Sequence, residues 1–191
     1  MENIKNVLLV GVGGQGTILA SKILTIGLIE AGYDVKMAEV HGMSQRGGSV
    51  TTQVRYGRKV YSPIIGHGDG DVLVAFEKME ALRILEDLKP GGTVVVNDYV
   101  IAPTPVLTGE CEYPDGIIEE LQAKANTVAF NAAEVAADLG NLKCMNVVLL
   151  GALVKALNLI EIDWVDIVKR TIKPAFVDIN IAALKAGMSI Q

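Results

Sequence analysis

The order of hydrophobic and polar positions near the start of the chain predicts a strand, a turn and a helix. Residues 7–10 are all apolar, and they lead through Gly11-Val-Gly-Gly-Gln-Gly16 into a segment from Thr17 to Ala31 that is rich in good helix formers. That segment is apolar on most sides, which is typical of a helix that packs on a sheet and connects two of its strands. Gly32 follows as the residue that ends the helix.

The next segment departs from a regular alternation of strands and helices. A second strand is predicted over 34–40 and a third over 49–56, where Val, Thr and Tyr positions alternate with more polar ones. Gly57-Arg58 is a turn signal before 59–62, and Pro63 ends that short run. We therefore expect an inserted β-hairpin over about 49–64, where a second crossover helix would otherwise stand.

Strands and helices alternate again after residue 70, apart from a proline-rich surface excursion over 102–116, and the chain ends in a series of helices. The further strands are predicted over 71–76, 93–97 and 127–130. The further helices are predicted over 77–88, 117–125, 131–139, 145–157, 164–172 and 175–186. We expect one α/β domain over 1–191, a Rossmann-like three-layer sandwich with a mostly parallel sheet and a helical C-terminal part.

Composition and charge limit the kinds of partner that this chain can have. With 17 Lys and Arg against 22 Asp and Glu, the net charge is −5, so the chain lacks the basic excess that binds nucleic acid. The most apolar stretch, residues 147–154, is much shorter than the roughly 18 residues that span a membrane. The sequence therefore predicts a cytoplasmic protein that binds neither nucleic acid nor membranes.

Few residues of this chain suggest metal binding or self-contained catalysis. Cys111 and Cys144 are the two cysteines, whereas an iron–sulfur cluster takes about four thiolates. His41 has no cysteine, aspartate or second histidine at ligand spacing, so no metal site is predicted. The chain has no Gly-x-Ser-x-Gly, no His-Glu-x-x-His and no phosphate-loop lysine, and no catalytic residue is assigned in it.

The glycine turn has two interpretations. Its residues are Gly11, Gly13, Gly14 and Gly16, which fit the Gly-x-Gly-x-x-Gly pattern between a strand and a helix. Glu39, near the end of the second predicted strand, stands where an acid holds ribose hydroxyls in dinucleotide sites. In the other interpretation the glycines only permit a tight turn and close packing. The packing interpretation is favoured, because the expected hairpin replaces a helix that helps to form an adenosine pocket.

The loop after the second strand is the more informative candidate site. Its polar side chains and glycines are His41, Ser44, Gln45, Arg46, Gly47 and Gly48. They follow the carboxyl end of a strand, which is where the sites of α/β proteins lie. Arg46 is the strongest candidate, since its planar guanidinium can hold a carboxylate or phosphate through two hydrogen bonds. The alternative is a surface connection, and His41 alone is better explained as a structural or interface residue.

Three further polar positions are minor candidates. Asn97 and Asp98 fall at the end of a predicted strand, but turn and capping roles explain them equally well. Asn146 opens an apolar helix, where helix capping is the simpler explanation. Gly151 in the same helix would allow a neighbouring element to pack closely.

Two segments, Val10-Gly-Val-Gly-Gly-Gln-Gly-Thr17 and Glu39-Val-His-Gly-Met-Ser-Gln-Arg-Gly-Gly-Ser-Val50, together resemble the gamma-type domain of 2-oxoacid:ferredoxin oxidoreductases. Further similarity through 62–65, 71–75 and 146–153 extends the resemblance over nearly the whole chain. Within that family the chain is most similar to the small (beta) subunits of indolepyruvate ferredoxin oxidoreductases.

The resemblance implies a subunit that is not active alone. It implies a large (alpha) subunit that carries thiamine diphosphate, Mg²⁺ and [4Fe-4S] clusters, while this chain binds no cofactor firmly. The implied reaction of the complex is oxidative decarboxylation of indolepyruvate and other arylpyruvates to aryl-acetyl-CoA, CO₂ and reduced ferredoxin, with coenzyme A as co-substrate. A hypothesis of a different class is a redox or regulatory module that binds NAD, FAD or ADP through Gly11, Gly13, Gly16 and Glu39.

Overall fold

A computed structural model describes residues 4–42 and 47–190, and its strands form one six-stranded sheet. The strands are β1 (Lys5–Val12), β2 (Asp34–His41), β3 (Ser49–Gly57), β4 (Gly70–Ala75), β5 (Leu88–Asn97) and β6 (Asn126–Phe130). Their order across the sheet is β2-β3-β1-β4-β5-β6. The pairs β1–β4, β4–β5 and β5–β6 are parallel, and β3 runs antiparallel to both of its neighbours.

Helices cover both faces of this sheet. They are α1 (Thr17–Glu30), α2 (Lys78–Ile84), α3 (Thr104–Leu107), α4 (Ile117–Lys124), α5 (Ala132–Asp138), α6 (Met145–Ala156), α7 (Trp164–Thr171) and α8 (Val177–Ser189). One hydrophobic core joins the first face to α1, α5, α6, α7 and α8, and a smaller core joins the second face to α2 and α4. The predicted three-layer α/β class is therefore confirmed.

The predicted hairpin over 49–64 is wrong in its second strand. β3 forms a hairpin with β2 instead, and its other edge pairs with β1, so neither edge of β3 is left for residues 59–62. Those residues do not join the sheet, and the backbone N–H of Val60 donates to the carboxylate of Asp34 at 2.9 Å. The guanidinium of Arg55 donates to the carbonyl oxygens of Ser62 and Ile64 at 3.0 and 2.9 Å. Residues 62–65 consequently lie against the second face of the sheet.

The predicted close approach at Gly151 is confirmed, and its partner is α8. A Cβ atom at Gly151 would lie 2.2 Å from the carbonyl oxygen of Leu184. A Cβ atom at Gly187 on α8 would lie 1.9 Å from the carbonyl oxygen of Val148. The two helices therefore pack backbone against backbone, which only glycine permits at these two positions.

Most other boundaries agree with the sequence analysis within a few residues, with two differences. β5 begins at Leu88 rather than at 93, because the chain remains paired with β4 through an irregular stretch before Thr93. The excursion over 102–116 contains the short helix α3. Among the helices of the described residues, none is both long and apolar enough to cross a bilayer.

Candidate functional site

The glycine turn is closed from inside by a side chain that the sequence analysis did not single out. Gln15 is buried, its Oε1 accepts the backbone N–H of Val12 at 2.8 Å, and its Nε2 donates to the carbonyl oxygen of Phe76 at 2.7 Å. A Cβ atom at Gly11 would lie 2.9 Å from both Gln15 Oε1 and Phe76 Cβ. Gly11 therefore serves close packing rather than ligand contact.

The position of Gln15 is where the order of the strands reverses. After β1 the chain forms β2 and β3 on one side of β1 in the sheet. It then crosses to the other side of β1, where it forms β4. In open α/β sheets this switch point is where ligands bind, beyond the carboxyl ends of the strands. Gln15 bridges β1 and β4 there, and Asn97 from β5 donates to the same carbonyl of Phe76 at 3.1 Å. The floor of the crevice is thus closed by amide side chains, and its mouth is formed by Gly14 and Gly16.

Two clefts flank the start of α1 at this mouth. The β2-side cleft, of about 430 Å³, is lined by Gly13, Gly14, Gly16, Thr17, Ile18, Glu39, His41 and Val50. The β5-side cleft, of about 400 Å³, is lined by Gly14, Gln15, Gly16, Tyr99, Ala133, Leu142, Lys143, Met145 and Asn146. Both volumes are of the size that small-molecule sites have. The structure therefore brings most of the sequence-predicted glycines together with Glu39 and His41.

The start of α1 provides hydrogen-bond donors between these two clefts. Gly16 precedes the helix in the left-handed conformation with φ 81°, no side chain of the described residues caps the helix, and its first turn contains no acidic residue. The first N–H groups of such a helix lack intrahelical partners and carry partial positive charge. This end of α1 is therefore suited to an anionic group such as a carboxylate, a phosphate or a diphosphate.

Only part of the predicted loop 41–48 can be placed. Ser44, Gln45 and Arg46 lie outside the described residues. At the end of the loop, the carbonyl oxygen of Gly48 accepts the N–H of Gly13 at 2.9 Å, and Gly47 has φ 78°. The loop therefore ends against the glycine turn, and the two sequence motifs form one neighbourhood.

Two buried glutamates at the same edge of the sheet were missed by the sequence analysis. Glu80 accepts the hydroxyl of Ser49 at 2.5 Å, which ties the start of β3 to α2. Glu77 caps α2 by accepting the N–H of Glu80 at 3.0 Å, and it accepts the hydroxyl of Tyr113 at 2.5 Å. Burial and the hydrogen bond to Glu77 raise the pKa of Tyr113, so this phenol stays protonated. The sequence identifies Glu77 only as an ordinary acidic cap at the start of a helix. It does not show that Glu77 also accepts a hydrogen bond from Tyr113, 36 positions away.

The minor candidates Asn97, Asp98 and Asn146 connect neighbouring elements of the fold, and the expectation that Asn146 caps its helix is wrong. Asn97 accepts the N–H of Ala132 at the start of α5 at 2.8 Å, while Asp98 pairs with Lys78 at 2.8 Å. Asn146 does not cap its helix, since it lies inside α6 and donates to the carbonyl oxygen of Gly16 at 3.2 Å. Its Oδ1 is buried and has no hydrogen-bond partner among the described residues. Asn146 therefore fastens α6 to the start of α1.

The cysteines and the acidic groups do not assemble into a metal site in the described part of the chain. Cys144 is buried, and burial raises the pKa of its thiol, while Cys111 is exposed. Within residues 4–42 and 47–190, no three His, Cys, Asp or Glu side chains are grouped so that they could hold a metal ion.

The fold and the glycine-lined crevice define a class of protein, and comparison with known proteins identifies that class. The chain belongs to the pyruvate ferredoxin/flavodoxin oxidoreductase family, whose sequence model matches residues 6–190. It is 38% identical to the indolepyruvate oxidoreductase subunit IorB of Thermococcus kodakarensis, over 96% of this chain and 94% of that protein. It is 40% identical to the IorB subunit of Archaeoglobus fulgidus, over 95% of this chain and 92% of that protein. The family resemblance stated from the sequence is therefore confirmed.

Other members of the family are more distant. A keto/oxoacid ferredoxin oxidoreductase gamma subunit from Geobacter sulfurreducens superposes with a TM-score of 0.70 at 26% identity, over 96% of this chain and 95% of that one. The 2-oxoglutarate synthase subunit KorC of Methanothermobacter marburgensis is 29% identical over 97% of this chain and 96% of that protein. The common gamma subunit of the pyruvate/ketoisovalerate oxidoreductases of Thermococcus kodakarensis is 26% identical over 94% and 92%.

Proposed function

We propose that this chain, as one domain, is the small subunit of a cytoplasmic 2-oxoacid:ferredoxin oxidoreductase that acts on indolepyruvate and other arylpyruvates. The substrate class is supported by a difference in sequence identity between two groups of relatives, both of which match this chain over nearly its full length. Identity is 38–40% to indolepyruvate oxidoreductase subunits and 26–29% to subunits for 2-oxoglutarate, pyruvate and ketoisovalerate. The complex would convert an arylpyruvate, coenzyme A and oxidised ferredoxin to aryl-acetyl-CoA, CO₂ and reduced ferredoxin.

The cofactors of this reaction are assigned to a larger partner subunit. An iron–sulfur cluster takes about four thiolates, and this chain has two cysteines, of which one is buried and one exposed. The [4Fe-4S] clusters, thiamine diphosphate and Mg²⁺ therefore belong to the alpha subunit in this proposal. Thiamine diphosphate supplies the carbanion stabilisation that decarboxylation requires. The part of this chain is to place donors beside an anionic group.

The donors that we assign to that role surround the start of α1. The first N–H groups of α1 follow Gly14 and Gly16, and they lie between the two clefts at a helix end that no described side chain caps. Loop 41–48 ends against the same turn through the Gly13–Gly48 hydrogen bond, and it carries Arg46. The first N–H groups of α1 and the guanidinium of Arg46 are the groups that we assign to binding a carboxylate or phosphate of substrate, coenzyme, cofactor or partner chain.

Co-purification tests the proposal directly. The full chain, affinity-tagged and isolated anaerobically from its native host, should bring down a larger iron–sulfur protein that contains thiamine diphosphate. That complex should reduce ferredoxin faster with indolepyruvate than with pyruvate or 2-oxoglutarate. A complex that prefers 2-oxoglutarate would overturn the substrate class, and a chain that recovers no such partner would overturn the subunit assignment.

Replacement of Arg46 tests the site. Arg46→Ala should lower the turnover of the complex or its substrate affinity more than about tenfold, because loss of a charge-paired contact costs on the order of 2–5 kcal/mol. The melting temperature of the chain should change little, as expected of surface substitutions. Arg46→Lys should rescue poorly, since lysine keeps the charge and loses the planar geometry. The matched control is Arg170→Ala, an exposed arginine on α7 that pairs with Glu30. Equal turnover and affinity in Arg46→Ala and the control would refute the site and support the alternative that the loop is only a surface connection.

One observation supports the alternative of a nucleotide-binding module. Glu39 lines the same β2-side cleft as Gly13, Gly14 and Gly16, as a ribose-binding acid would. However, β3 and the loop before it follow β2 directly, where a dinucleotide-binding half continues into a helix. Titration of the chain with NAD, FAD and ADP separates the two hypotheses, because the subunit assignment expects no tight binding of any of them.

A further inference from the structure

A further cavity, of about 350 Å³, lies between α1, residues 141–144 and the connection from α7 to α8, and we call it the α8 cavity. α7 ends at Thr171, and the chain is extended at Ile172, with φ −98° and ψ 146°, before Pro174 begins a single helical turn that leads into α8. This break between the two helices forms one wall of the cavity. The volume is at the lower end of the range of small-molecule sites, so the cavity suits a ligand with one small ring system.

The walls of the α8 cavity are mostly apolar and uncharged. Leu19 of α1, Ile172 and Phe176 supply hydrocarbon surface, and Phe176 is 48% exposed, so its cover by a ligand would be favourable. The thiol of Cys144 is buried and donates to the carbonyl oxygen of Asn141 at 2.8 Å. Burial raises the pKa of this thiol, so it forms a neutral wall rather than a nucleophile. These walls favour an apolar ring.

Two lysines at the α8 cavity have no counter-ion in the described part of the chain. Lys143 and Lys173 are both exposed, and neither forms an ion pair or a side-chain hydrogen bond with a described residue. None of the described residues that line the cavity is an aspartate or a glutamate. In a chain with a net charge of −5, a cavity with two positive groups and no acid attracts an anion.

Two asparagine side chains supply polar groups of fixed orientation. Asn180 is 8% exposed, and its Nδ2 donates to the carbonyl oxygen of Phe176 at 2.7 Å. Because a carbonyl can only accept, this bond leaves Asn180 Oδ1 as an acceptor that has no partner among the described residues. Asn141 Oδ1 accepts the N–H of Lys143 at 3.0 Å, which leaves its Nδ2 as a donor. Polar side chains that are this deeply buried are normally hydrogen-bonded, so Asn180 indicates a ligand group that donates.

We propose that the α8 cavity binds a small aromatic carboxylate whose ring system carries an N–H or O–H group. The carboxylate would pair with the ammonium groups of Lys143 and Lys173, and the ring would contact the apolar walls. The N–H or O–H would donate to Asn180 Oδ1. None of the glycines of the turn between β1 and α1 lines this cavity, so the inference does not depend on the proposed function.

Titration calorimetry of the full chain with a series of related ligands tests the three contacts separately. Indole-3-acetate has the ring, the N–H and the carboxylate, and we expect it to bind. Acetate lacks the ring and indole lacks the carboxylate, so each should bind at least about tenfold more weakly. 1-Methylindole-3-acetate lacks only the donor, and it should bind roughly fivefold more weakly, as loss of one hydrogen bond predicts. Added salt should weaken the binding of indole-3-acetate and leave that of indole unchanged.

A double substitution with a matched control locates the binding in this cavity. Lys143→Gln with Lys173→Gln should weaken indole-3-acetate roughly fivefold and leave indole unchanged, because only the carboxylate loses its partners. Both lysines are exposed, so the melting temperature should change little. The control is Lys169→Gln with Lys185→Gln, which changes the net charge equally. These two lysines are exposed on α7 and α8 and do not line the cavity, so the control should bind like the unmodified chain.

Several outcomes would overturn the proposal. An unmodified chain that does not bind indole-3-acetate refutes the site, and so does equal binding by the two double variants. Indole that binds as tightly as indole-3-acetate would show an apolar cavity without an anion site. Equal binding of 1-methylindole-3-acetate would refute the contact to Asn180 and with it the requirement for a donor. None of these results bears on the assignment of the chain as a small subunit, which co-purification tests.

Discussion

The contact between Gly16 and Asn146 yields a prediction about how the glycine turn is held to the C-terminal helices. A Cβ atom at Gly16 would lie 2.5 Å from Asn146 Nδ2, and the backbone there has φ 81°. Gly16→Ala therefore has two costs. The left-handed backbone costs about 1–2 kcal/mol in a residue with a side chain. Displacement of the buried Asn146 amide adds about 1–3 kcal/mol of overpacking and lost hydrogen bonding.

The two costs can be separated, because the Asn146 side chain itself contributes little to the free energy of unfolding. Its hydrogen bond to the Gly16 carbonyl adds about 1 kcal/mol, but its buried Oδ1 has no partner in the part of the chain that the structure describes, which is unfavourable by a similar amount. The Gly16 carbonyl also accepts the N–H of Ala20 at 3.2 Å, so it stays satisfied without Asn146. Asn146→Ala should therefore change the free energy of unfolding by no more than about 1 kcal/mol. In that background Gly16→Ala should retain only its backbone cost.

Thermal and denaturant unfolding of the unmodified chain, both single variants and the double variant measure the coupling. We expect Gly16→Ala to lower the melting temperature by about 4–20 °C, at roughly 2–4 °C per kcal/mol for a chain of this length. The coupling energy should be about 1–3 kcal/mol, so the double variant should be more stable than Gly16→Ala by that amount less the cost of Asn146→Ala. Gly14→Ala is the matched control, since Gly14 has φ 100° and a Cβ there would meet no described atom within 4 Å, and its cost should be the same with or without Asn146. Equal costs of Gly16→Ala in both backgrounds would refute the reasoning.

Two further predictions concern stability. Gly187→Ala should destabilise the chain by about 1–3 kcal/mol or more, because its Cβ would meet the rigid Val148 carbonyl. A Cβ at Gly42 would meet no atom of the described residues within 4 Å, so Gly42→Ala should be close to neutral in the same melting experiment. A hydrogen bond from Lys36 lowers the pKa of the Asp34 carboxyl from 3.8 to about 2, so its contribution to stability is complete above 3.8 and is lost as the pH falls through about 2. Asp34→Asn should therefore show a flatter decline of melting temperature between pH 4 and pH 2, and an unchanged decline would contradict this assignment.

Much of the candidate site could be predicted because its residues lie in two short motifs. The glycine turn between β1 and α1 is a local feature, and so is the polar loop that follows β2. The rules for α/β sheets place both at the carboxyl edge of the sheet, and the structure finds Glu39 and His41 in one cleft with the glycines. Lys143 and Tyr99 line the second cleft, but no local pattern distinguishes them from ordinary surface residues.

The amino-acid sequence by itself determined the order and type of nearly all the elements of this protein. Periodicity, glycine turns and capping residues act within about one turn or one strand, so they can be recognised without the rest of the fold. The same holds for the family, since its two motifs are continuous segments. The exception was 59–62, where a turn signal and a short apolar run did not produce a strand.

The tertiary structure alone decided which strands pair and which distant side chains meet. β3 has two edges, and β1 and β2 take both of them, so a third strand had no hydrogen-bonding partner there whatever its local pattern. Asn146 meets Gly16 across 130 positions, and Glu80 meets Ser49 across 31. Such contacts depend on free edges and on the space between packed layers, and these exist only after the whole chain has folded.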